Sequence, residues 1–142
     1  MEIKPEMVDY LRTMIKGDLD ANSRIEAQLD EKGWDDFPKL LGAVFFLAVD
    51  RQFGDDASAA EIVQFVAEMR AKAPVDPAVI DANAAETLIK SALDPALDHD
   101  VESEMIGRIQ TLTIMHVLGA EDVSDDDLDD VLEEAVQLVG RL

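Results

Sequence analysis

"KLLGAVFFLAVDRQFG", residues 39–54, is the most apolar stretch of a chain that is otherwise heavily acidic. Its apolar run, Leu40 to Val49, is ten residues long and interrupted only by Gly42. A bilayer-crossing helix needs about 20 residues, so the run is too short to be a span. A buried strand is the next reading, because Val-Phe-Phe-Leu is compatible with β structure. No second convincing strand exists to pair with it, and an unpaired strand leaves its backbone polar groups unsatisfied. The remaining reading is a helix that is apolar almost all round, which places it at the centre of a bundle with neighbours on several sides. The stretch therefore predicts an all-α fold: a compact orthogonal or up-down bundle of about five to seven helices around a central apolar helix at residues 38–53. Phe45, Phe46 and Leu47 are expected among its least exposed positions. Arg51 falls in the last turn, where a cation favours the negative helix end, and an acid from another helix is its expected partner.

The flanking sequence reads as further helices. Pro5 suits a first turn, and Met7, Tyr10, Leu11, Met14 and Leu19 follow at helical spacing. Gly17 and Asn22 leave open one helix to about Asp30 or two pieces. Asp35 or Asp36 is the expected cap of the central helix. Ser58 and Glu61 form a capping-box pattern, ahead of the stripe Ile62, Phe65, Val66 and Met69. Asp76-Pro77 and Asp94-Pro95, each followed by Ala, read as two helix starts. At the end, Ser124 caps a helix whose first turn is crowded with acids, where the dipole favours them. Leu128, Val131, Leu132, Ala135, Leu138 and Val139 face inward. A length of 142 residues suits one domain, residues 1–142, with a proper core.

Composition limits the chemistry. There is no cysteine, so disulfides, thiolate metal sites and cysteine nucleophiles are excluded. The net charge is −20. Through Val49 there are 10 acids and 6 bases; from Asp50 onward there are 22 acids and 6 bases. Such a field repels nucleic-acid backbones and anionic membranes and attracts basic surfaces, although solubility or adaptation to high salt accounts for the same composition. Aspartate outnumbers glutamate 20 to 12. The first residues lack the basic start and apolar run of a signal peptide, and a cytoplasmic protein is expected.

Two places carry candidate chemistry. His116 projects from the apolar face of its helix, near Met105, Ile109 and Leu112, and reads as a core histidine unless a cleft joins it to a nucleophile or carboxylate. In the acidic segment Asp94–Glu104, the candidate cation ligands are Asp94, Asp98, His99 and Glu102, with Asp98 and Glu102 on one helical face. The segment lacks the glycine and glutamate spacing of a calcium loop. No Glu-x-x-His, nucleotide loop or nucleophile elbow occurs, and no cofactor is expected.

The expected function is a non-enzymatic protein-protein interaction module (an adaptor, inhibitor or chaperone-like subunit) engaging a basic partner, or a homo-oligomer. The candidate surface is Asp126, Asp129, Asp130 and Glu133, opposite the apolar stripe of the last helix. The alternative is a small helical enzyme or ligand- or metal-binding protein using His116 or the Asp94–Glu104 segment.

Overall fold

The computed structural model describes residues 3–54, 57–73, 76–94 and 96–141. Among these are seven α-helices and no strand: α1 (Pro5–Lys16), α2 (Leu19–Lys32), α3 (Phe37–Phe53), α4 (Ala59–Lys72), α5 (Ala82–Leu93), α6 (Ser103–Leu118) and α7 (Asp125–Gly140). A single 3-10 turn, Pro77–Val79, precedes α5. The bundle is organised around α3, which packs against α5, α6 and α7. No helix among the described residues is long and apolar enough to cross a membrane.

Leu40, Ala43, Val44, Phe45, Ala48 and Val49 of α3 are all buried, covering most of the helix circumference. The exposed strip that remains carries Lys39, Phe46 and Asp50, spaced by seven and four residues and so stacked on one side. Phe46 is 42% exposed and Leu47 only half-buried. The expectation for these two neighbours of Phe45 is thereby corrected: a helix that is apolar all round still has one side left over, and here that side is Phe46's.

The region before α3 is two helices. Gly17 adopts the left-handed conformation at φ 76°. Its N–H reaches the Met14 carbonyl at 3.3 Å, and the Asp18 N–H reaches that of Thr13 at 3.0 Å, the bond pair that closes a helix with a left-handed glycine. Asp18 then caps α2 by accepting from the Ala21 N–H. The reversal takes Leu19 off the α1 stripe, contrary to expectation, and leaves it 74% exposed. Leu29 is the sole fully buried residue of α2, and α2's main neighbour is α1. Tyr10, Trp34 and Phe37 join edge-to-face at 5.0–5.7 Å between centroids. Lys4 Nζ donates to the carbonyls of Lys32 and Gly33, satisfying acceptors that the end of α2 leaves open.

Local caps follow the sequence at Ser58 and Ser124, whose hydroxyls accept from the N–H groups of Glu61 and Asp127 at 3.1 Å each. Asp36 occupies the N-cap of α3 without a side-chain capping bond. It is left-handed at φ 68°, a conformation aspartate tolerates, and its carboxylate lies 3.5 Å from Lys39. Neither Asp76 nor Asp94 caps the start of an α-helix, Pro95 lying outside the described residues. Asp76 accepts from the Ala78 N–H through Oδ1 and from the Val79 N–H through its carbonyl. Asp94 makes the same two bonds, to Ala96 and Leu97. Asp76 and Asp94 thus accept the same pair of forward bonds. The α-helices begin later, at Ala82 behind Asp81 and at Ser103 behind Glu102.

Candidate functional site

The last helix spends one face on the core and offers another to solvent. Leu128, Leu132, Ala135 and Val139 are buried, and α7 packs against α3 and α1. The acids divide by direction. Asp125 pairs with Lys16 of α1. Asp129 Oδ1 lies 2.8 Å from Arg12 Nε, while Arg12 also reaches Asp9 at 2.6 Å. Asp127 faces Arg51 of α3 at 3.7 Å. Asp126, Asp130 and Glu133 are exposed and have no ion-pair partner among the described residues. Of the four acids marked from the sequence, Asp129 is thus turned partly inward to α1. The bias of bases toward the N-terminal half is the signal that points to such pairing, but periodicity alone does not reveal which acids receive them.

The Asp94–Glu104 segment is arranged otherwise than the sequence suggests. Asp94 closes α5, and Asp98, His99 and Asp100 lie outside any helix, so Asp98 and Glu102 do not form an i,i+4 pair. His99 Nδ1 accepts from the Val101 N–H at 3.4 Å. Glu104 pairs with Arg108 at 2.6 Å along α6. Among the described residues no group of three or more histidine, aspartate or glutamate side chains is placed to hold a metal ion. Glu102 and Asp100 instead line an open groove with Asp81, Asn83 and Thr87, floored by Ala84, Val101 and Met105. Asp81 is drawn in from the cap of α5, a long-range neighbour that no local pattern announces.

His116 stands in the last turn of α6 and is half-buried, at the wall of a cleft. Its ring meets Phe65 of α4 edge-to-face, 5.3 Å between centroids. Met69, Lys72, Ala73, Leu112, Met115 and Gly119 complete a cleft of about 260 Å³. Burial, and then the Lys72 ammonium, hold the imidazole below its ordinary value, while Glu68 works the other way. The lining offers one acid-base group and one cation, but no hydroxyl nucleophile and no carboxylate to orient the imidazole. The nearby Thr113 hydroxyl is fully buried against Met69 Sδ at 3.4 Å.

Comparison with known proteins returns no family: no family model matches the chain, and no curated protein or solved structure matches it significantly.

Proposed function

We propose that the protein is a non-enzymatic, cytoplasmic interaction module whose α7 face docks a basic protein surface. The observation that carries this reading is the set Asp126, Asp130 and Glu133, exposed on one side of α7 and free of ion pairs among the described residues. The neighbouring acids Asp125, Asp127 and Asp129 pair with bases of α1 and α3, while the buried Leu128, Leu132, Ala135 and Val139 seat the helix that presents the others. Carboxylates so placed steer encounter with a cationic surface and add more to association rate than to residence time. A catalytic reading gains less support, because among the described residues the His116 cleft supplies no nucleophile and no orienting acid.

The test is affinity capture from source cells with the wild type and with the triple variant D126N/D130N/E133Q, followed by association kinetics on the recovered partner. The expected partner is basic, binds more weakly as salt rises, and associates more slowly with the triple variant while its dissociation rate barely changes. A partner indifferent to both salt and the substitutions rejects this face.

A further inference from the structure

The chain carries 32 acids against 12 bases, and one of those bases, Lys72, stands at a cleft. Arg12, Lys16, Lys32, Lys39, Arg51 and Arg108 all sit in ion pairs. Lys72 makes none among the described residues, although Glu68 lies one turn back on the same helix and accepts from Gln64 at 3.4 Å. The other side chains of the cleft that Lys72 shares with His116 are apolar, and among the described residues no carboxylate lines it.

We propose that this cleft, between the C-terminal ends of α4 and α6, binds a small amphiphilic carboxylate, its head group between Lys72 and His116 and its tail on Met69, Leu112 and Met115. A carboxylate placed there accepts from the ammonium and from an imidazole N–H and offsets the repulsion between the two groups. The apolar lining gives the tail a surface to cover. Size limits the tail: about 260 Å³ lies below the roughly 300–1,000 Å³ of pockets for drug-sized ligands. The carbonyl ends of α4 and α6 oppose any anion here, so the head group depends on Lys72 and His116, and a singly charged carboxylate suffers less than a phosphate dianion. The groups facing the head-group position are Lys72 and, farther back, Glu68 on α4, and His116 itself on α6.

Hexanoate is the probe, with the imidazole of His116 followed by NMR across pH and the exposed His99 as internal control. Hexanoate is expected to raise the His116 titration midpoint saturably and to bind more tightly as pH falls through it. Acetate, lacking a tail, is expected to act more weakly, and hexylammonium not at all. K72Q is expected to weaken hexanoate about tenfold, whereas K72R retains binding. The proposal is overturned if hexanoate leaves His116 unmoved in the wild type, if hexylammonium binds there as well, or if K72Q binds hexanoate unchanged. The wild-type titration decides the matter even where K72Q fails to fold.

Discussion

Arg51, at the end of the central helix, faces Asp127 in the first turn of the last one, Nη2 to Oδ2 3.7 Å apart. The same aspartate donates its backbone N–H to the Ser124 cap, so a single residue joins the start of α7 to the end of α3. Both side chains are substantially solvated, at 39% and 47% exposure, and exposed pairs contribute only about 0–1 kcal/mol. R51Q and D127N are therefore expected to lower stability by less than about 1 kcal/mol each. The coupling between them, read from a double-mutant denaturation cycle, should shrink further at high salt. A coupling of several kcal/mol would mean that the pair organises the bundle.

Hydrophobic burial on α3 has a larger expected signature. Leu40 is fully buried, whereas Phe46 is 42% exposed. L40A is expected to cost about 2–5 kcal/mol, and F46A clearly less despite removing more atoms. Chemical denaturation of the two variants measures the difference; equal losses would contradict the orientation of α3.

His116 supplies a pH dependence. Its imidazole is held below the ordinary value by burial and by Lys72, against the opposing pull of Glu68, so the unfolded chain binds the proton more readily. Its contribution to stability is complete above the unfolded value near 6.5, is lost as pH falls through that value, and levels off below the folded one. H116F is expected to flatten this part of the stability profile, measured by denaturation between pH 7.5 and about 5. A profile of unchanged slope would show that His116 is not its source.

Much of the helical order was legible because caps and stripes act locally. Ser58, Ser124 and the buried set on α7 all follow from residues within one or two turns of each other, whereas Gly17 leaves one helix or two equally open until its left-handed φ is seen. Orientation was less legible. On α3 nearly every position is apolar, so the pattern contains no polar side to mark where Phe46 meets solvent. Asp76 and Asp94 bond forward as aspartates before proline do, yet a turn and a helix start share that first step. At Asp76 the chain must also place Ile80 inward, 1% exposed, before Asp81 begins α5. Of the candidate site, the exposed acids were readable from α7 alone, while the loss of Asp129 to Arg12 and the Phe65–His116–Lys72 grouping depend on contacts across the bundle.

The net charge of −20 makes salt a direct probe. Screening shortens the reach of repulsion to about 8 Å at physiological ionic strength, and Tm is expected to rise with monovalent salt from about 0.01 to 1 M. The few pairs at α1–α7 weaken over the same range, so a flat or falling Tm would show that they outweigh the repulsion.

Helix α2 should be the least protected part of the described fold. With Leu29 as its one fully buried residue and α1 as its main neighbour, it can open without breaching the core around α3. Amide exchange is expected to be faster in α2 than in α3, α6 or α7. Equal protection would show that α2 opens only with the whole bundle.

The helices that cover α3 follow it in the chain, and that order matters on the ribosome. About 70 residues separate Phe53 from the start of α7 at Asp125, which at roughly 5–20 residues per second is on the order of 4–14 seconds of synthesis. For that interval the most apolar segment has left the point of assembly without α7 and, for much of it, without α6. α1 and α2 can already pair, but they do not supply the missing surface. The nascent chain therefore passes through a stage in which its own future centre is exposed apolar surface.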